Sequence, residues 1–221
     1  MTTIVAESDA FRLPGWVSDL DSFHAWVESD DVPEKFKPWF LKGEVWLDMS
    51  KEQIDSHVDV KTEITSVLRQ LAKANRLGRV LGDGVLLTNR AADISGNPDM
   101  LYYSNESEAE GRIRRVAGAE GGSIRLEGSP DMVLEVVSRA SVKKDTETLF
   151  KAYWEAGISE YWLVDARAKD VVFDIFKRGP KGYVATRKQG GWVKSAVFGK
   201  AVKLVRNDDE QGHPEFSLLV K

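Results

Sequence analysis

The ten residues 129–138, SPDMVLEVVS, most constrain what this chain can fold into. They form a short apolar run of the length that fills the middle of a sheet. Glu135 stands inside that run. Strand side chains alternate faces, so Asp131, Val133, Glu135 and Val137 point one way and Met132, Leu134 and Val136 the other. A charged carboxylate taken out of water costs several kcal/mol unless it is paired. Any fold built on this strand must give Glu135 a core Arg or Lys, backbone donors, or a metal ion.

The rest of the composition narrows those choices. The chain has 221 residues, 30% of them charged and 42% hydrophobic, and no cysteine. Disulfides, thiolate nucleophiles and cysteine zinc sites are therefore excluded. The three histidines, His24, His57 and His213, are too scattered for a His-rich metal centre. The net charge of -4 argues against a strong non-specific nucleic-acid binder. It leaves room for a local basic patch, for which GRIRRV (111–116), Arg139, Lys143 and Lys144 are the candidates; a solvated basic edge is the other reading. No stretch approaches the roughly 18 apolar residues of a membrane span. The N-terminus lacks the pattern of a secretory signal, so a cytoplasmic protein is expected.

The periodicity predicts one α+β domain over 1–221, a mixed β-sheet flanked by helices. Ser18 caps a first helix with Leu20, Phe23 and Val27 on one face. WFLKGEVWLDM (39–49) reads as a hairpin turning at Lys42-Gly43. Ser50, with Gln53 three residues on, opens a long helix. Its apolar stripe is Ile54, Val58, Ile64, Val67, Leu68 and Leu71, and Gly78 stops it. VLLTN (85–89) and DMLYYS (99–104) read as strands, 105–122 as a loop, and SIRLEG as a short strand. Ser141–Ala156 reads as a helix burying Val142, Leu149, Phe150 and Tyr153. EYWLVDA and DVVFDIF form a hairpin, and three shorter strands follow.

Asp131 is a poor partner for Glu135. Four residues of strand separate them by about 13 Å, and ligands reach a magnesium ion at about 2.1 Å. A second Pro-Asp, at Pro98-Asp99, opens another predicted strand. Were that strand to lie beside 131–137, Asp99 would stand opposite Glu135, with Cβ atoms about 4.5–5.5 Å apart. Two carboxylates so placed repel unless something positive lies between them. The ion that suits oxygen ligands alone is a hard one, Mg²⁺ or Mn²⁺.

The residues GSPDMVLEVVS…KKDTETLFKAYWEAGISEYWLVDAR, with LKGEVWLDMS, His57 and NPDMLYYS upstream, resemble the Uma2 family of the PD-(D/E)XK nuclease superfamily. The resemblance is best over about 39–176. It implies a restriction-endonuclease-like core with an extra N-terminal hairpin and C-terminal antiparallel strands. It also implies an Mg²⁺- or Mn²⁺-dependent DNA endonuclease. By that resemblance Asp99 and Glu135 are the catalytic, metal-holding acids and Glu44 the third metal-binding carboxylate. The superfamily lysine, however, falls on Val137, and the alternative family position on Leu149. Lys151 lies roughly 200° around the helix from Leu149. Lys143 and Lys144, at the helix entrance, are placed to reach back, and Lys144 is assigned the catalytic role. His57 reads as structural. Tyr153, Trp154, Tyr161 and Trp162 read as core or as the interface of an expected homodimer. The competing reading is a nuclease fold that binds without cutting.

Overall fold

The computed structural model describes residues 4–5, 10–11, 13–32, 36–47, 53–119 and 121–221. The short strands β1 (Ile4–Val5) and β2 (Ala10–Phe11) pair with each other. Helix α1 (Leu20–Val27) and the hairpin β3 (Pro38–Leu41) and β4 (Glu44–Leu47) follow. A π-helical turn, Ile54–Val58, leads into α2 (Asp59–Ala74). Then come β5 (Gly78–Gly82), β6 (Leu86–Asn89), β7 (Ile94–Gly96) and β8 (Met100–Ser104). They are followed by α3 (Asn105–Ala109), β9 (Ile113–Ala117), β10 (Ser123–Gly128) and β11 (Met132–Val136). A second π-helical turn, Lys144–Thr148, opens α4 (Leu149–Glu155). Strands β12 (Glu160–Asp165), β13 (Val172–Gly179) and β14 (Gly182–Ala185) come next. The chain ends with β15 (Lys188–Gln189), β16 (Trp192–Lys194), β17 (Ala201–Asp208) and β18 (Pro214–Val220).

The fold is α+β. The central sheet runs β14-β13-β12-β11-β8-β5. In it β11 lies parallel to β12 and antiparallel to β8. One face of this sheet packs against α2 and the sheet β15-β16-β17-β18: Val60, Ile64 and Leu68 pack there with Met100, Leu134, Trp162, Val202 and Phe216. The opposite face packs on α4 and on a second six-stranded sheet, β4-β3-β7-β6-β10-β9. There Leu101, Val133 and Tyr161 meet Leu149, Tyr153, Trp39 and Ile94. All five residues of β11 are buried, which is why its sequence is almost continuously apolar.

Several expectations need correcting. The α1 cap is Asp19, whose side chain accepts the Ser22 N–H at 2.8 Å while Ser22 reciprocates, not Ser18. The Ser50 cap lies outside the described residues. The long-helix stripe breaks at its start: Ile54 is 75% exposed, and His57 and Lys61 are buried instead. The wider π turn inserts a residue and rotates the face that meets the sheet. Residues 105–122 are not one loop. Ser104 caps α3 by accepting the Ser107 N–H, and GRIRRV becomes β9, paired along β10. Strand β18 was not foreseen. The hairpin turn is as expected, with Lys42 and Gly43 at φ 52° and 84°, the left-handed pair that a two-residue type I′ turn requires.

Candidate active site

The site begins in the register between β8 and β11. Met132 pairs with Tyr102, Val133 with Leu101, and Leu134 with Met100. The next step along this antiparallel ladder sets Asp99 opposite Glu135. The Asp99 carboxylate accepts the N–H of Val136 at 2.7 Å, which ties it to the strand bearing Glu135. Alternation puts Glu135 on the Val133 face, toward α4. There Tyr153 Oη donates to Glu135 Oε1 at 2.5 Å. Burial, and next the Asp99 charge, hold the Glu135 carboxyl well above the usual range, and Lys144 opposes them.

Helix α2 and the turn before it deliver the groups around Asp99. His57 Nε2 lies 3.6 Å from Asp99 Oδ2, and Lys61 Nζ lies 3.4 Å from Oδ1. His57 and Lys61 are four residues apart, so they share one face of the helical path. Lys61 also sits 3.2 Å from Asp83 Oδ2, which accepts from Lys37 at 2.6 Å. Burial pushes Asp83 up, but the Lys37 hydrogen bond and the Lys61 charge outweigh it and leave its carboxyl below the usual range.

Lys144 enters from the turn before α4. Its ammonium lies 4.8 Å from the centre of the Trp39 ring and 3.4 Å from Asp145 Oδ1. Trp39 is held in place by Gly96, where an added Cβ would stand 2.0 Å from its ring. Asp145 was missed by the sequence reading. It is buried and bonded by the Ser141 hydroxyl, and burial raises its carboxyl to about 6 against the pull of Lys144. Its only signal in the sequence is Ser141 four residues earlier, which is too common a spacing to single out.

The other candidates are placed as follows. Glu44 is exposed on the hairpin and accepts from Trp46 Nε1 at 3.2 Å. Asp131 lies outside the pair, as expected. It accepts from the Ser104 N–H at 2.6 Å, the Ser107 hydroxyl at 2.8 Å and Arg112 at 3.2 Å. Val137 and Leu149 are buried in the core, so neither family position for the lysine carries a charge. The Lys151 side chain is 71% exposed. Tyr153, Tyr161 and Trp162 are fully buried, which assigns these three to the core. The candidate basic patch at 111–116 is neutralised: Arg112 pairs with Asp131, Arg114 with Glu127 and Arg115 with Glu108.

Among the described residues no three or more His, Asp or Glu side chains gather as ligands of one ion. Asp99 and Glu135 nevertheless fit a hard cation that keeps most of its water: magnesium is commonly held by one or two carboxylates plus substrate phosphate. The chemistry of the donor set supports the fit: two carboxylates face each other on adjacent strands, and the buried one has only the neutral Tyr153 hydroxyl bonded to it, so a hard oxygen-loving cation suits the pair.

Residues 20–202 match the family profile Uma2, described as "Putative restriction endonuclease". A crystal structure of a "putative nuclease belonging to DUF820" from Anabaena variabilis ATCC 29413 is similar in fold. It has a TM-score of 0.60 and 17% identity, over 82% of this chain and 90% of that one. No curated protein matches the chain. Among the described residues no helix is long and apolar enough to cross a membrane.

Proposed function

For this chain, which belongs to the Uma2 family of restriction-endonuclease-like proteins, we propose a metal-dependent endonuclease acting on DNA. The observation that carries the reading is the opposition of Asp99 and Glu135 on adjacent strands, with Lys144 beside them. Asp99 and Glu135 would hold Mg²⁺ or Mn²⁺. Such an ion, when bound, neutralises phosphate charge and lowers the pKa of a water molecule. The protein's own groups do the rest. The Val136 N–H and Lys61 fix the Asp99 carboxylate. Tyr153 fixes Glu135. Lys144, braced on Trp39, offers positive charge to a phosphate at the pair. The Trp39 ring, buried beneath it, keeps water from that side.

The test is incubation of purified protein with supercoiled plasmid and Mn²⁺ or Mg²⁺, with and without chelator. Nicking that requires the ion and is lost in Glu135→Gln is the expected result. No nicking under any condition favours the second reading, a nuclease fold that binds without cutting. Buried Val137, apolar where the superfamily lysine belongs, is the observation behind that reading. We also propose a two-fold homodimer. The exposed Val184 on edge strand β14 supports it, and a monomer mass by light scattering would refute it.

A further inference from the structure

A groove of about 330 Å³ opens at the far end of α2, between the helix terminus and edge strand β5. Its charged lining residues are Arg69, Lys73, Arg76 and Arg79, and no acid lines it. All four side chains belong to exposed residues, and none forms an ion pair with a described residue. Six other arginines, Arg90, Arg112, Arg114, Arg115, Arg125 and Arg167, each have an acidic partner; these four share one groove instead.

Helix stability does not account for the cluster. Cations near a helix C-terminus are favoured by the dipole within the last turn, which covers Lys73 and Arg76 only. Arg69 lies further back, and like charges four apart on a helix destabilise it. Arg79 belongs to β5. Arg76 also occupies a left-handed conformation, φ 52°, just past the helix, where glycine is the usual residue. The Asn105 side-chain amide pins that turn by donating to the Arg76 carbonyl at 2.8 Å. The chain thus holds four like charges together, one of them on a strained backbone, with no ion-pair partner among the described residues.

We propose that this groove binds the phosphodiester backbone of a nucleic-acid duplex whose remaining length lies across the Asp99–Glu135 site. The inference rests on the nuclease reading for the second half of that statement and on the groove's charge alone for the first. The spacing is set by α2, which presents Lys61 at the acid pair and Lys73 at the groove. Twelve residues of helix span about 18 Å, and at 3.4 Å per base pair that is about five base pairs of duplex.

The test is binding in chelator, where cleavage cannot interfere. Fluorescein-labelled DNA hairpins with stems of about 4 and about 14 base pairs are titrated with the full chain over a range of salt. Each phosphate contact contributes about -0.9 to the slope of log K against log salt. The longer stem is expected to bind with a slope of about -3 to -4 or steeper, and the shorter one more weakly and with a shallower slope. The variant Arg69→Gln/Lys73→Gln/Arg76→Gln/Arg79→Gln is expected to lose about 3 to 4 of that slope. The control Lys169→Gln/Lys181→Gln/Lys194→Gln/Lys200→Gln, with the same change in net charge, is expected to keep it. Equal losses in both variants, unchanged binding in the first, or capture by phosphatidylserine vesicles without capture by DNA each overturn the proposal. Binding through the groove by a protein that never cleaves would remove the nuclease reading and leave the groove standing. Cleavage by a protein whose groove variant binds normally would do the opposite.

Discussion

Tyr153 donates its hydroxyl proton to Glu135 at 2.5 Å, from a helix on one layer to a strand in the next. The bond gives the buried carboxyl a donor but no counter-charge. Burial and the neighbouring Asp99 therefore still favour its protonated form. Folding then works against ionisation of Glu135: a carboxyl whose folded pKa is raised takes stability away as pH climbs above its unfolded value.

Glu135→Gln keeps the acceptor for Tyr153 and removes the charge. In chelator near neutral pH the variant is expected to melt at or above the parent's temperature. Mn²⁺ should raise the melting point of the parent by mass action and leave the variant unmoved. Were Glu135 instead half of a core ion pair, the substitution would cost roughly 3–5 kcal/mol. Calorimetric melts of both proteins distinguish the two.

The two Pro-Asp pairs should separate cleanly. Asp131→Ala strands the Ser104 N–H, the Ser107 hydroxyl and Arg112, and is expected to cost roughly 1–3 kcal/mol in urea unfolding. Its nicking rate per folded molecule should match the parent's. Asp99→Asn is expected to abolish nicking while the protein still unfolds cooperatively. Equal activity losses in both variants would contradict the assignment.

Lys144→Met is expected to slow plasmid nicking by about 10²–10³, the scale for losing one group that stabilises developing charge. Lys151→Ala, whose side chain points to solvent, should stay within about twofold of the parent. A null effect of Lys144→Met would move the search for the active cation to Lys61.

His24 makes a separate acid-stability prediction. It is buried, and its Nε2 lies 2.9 Å from the Thr88 hydroxyl and 3.2 Å from that of Ser95. Burial, aided by Arg125 and Arg90, lowers it from 6.5 to about 4. A histidine depressed in the folded state keeps its contribution above its unfolded pKa and loses it as pH falls from about 6.5 to about 4. That loss is about 3 kcal/mol at 1.36 kcal/mol per unit. His24→Gln should flatten the fall in stability across this window. Identical pH profiles for parent and variant would refute the prediction.

How the site divides between sequence and fold can be read residue by residue. A lone glutamate in an apolar strand, a Pro-Asp opening another strand, and a Lys-Gly turn are local patterns. Alternation and turn chemistry act over a few residues, so Glu135, Asp99 and the β3–β4 hairpin were legible from the chain alone. The family resemblance pointed to the same two acids.

Only the tertiary structure decided the rest. The β8–β11 register put Asp99 across from Glu135. Packing on Trp39 brought the Lys144 charge near Glu135, and burial raised the carboxyl of Asp145 beside that lysine. A π turn rotated His57 and Lys61 inward in place of Ile54 and Val58. The same packing neutralised the arginines of GRIRRV and gathered Arg69, Lys73, Arg76 and Arg79 with no ion-pair partner among the described residues. Charge pairing and desolvation depend on distance through space. Segments far apart in the chain set those distances only when the layers close on one another.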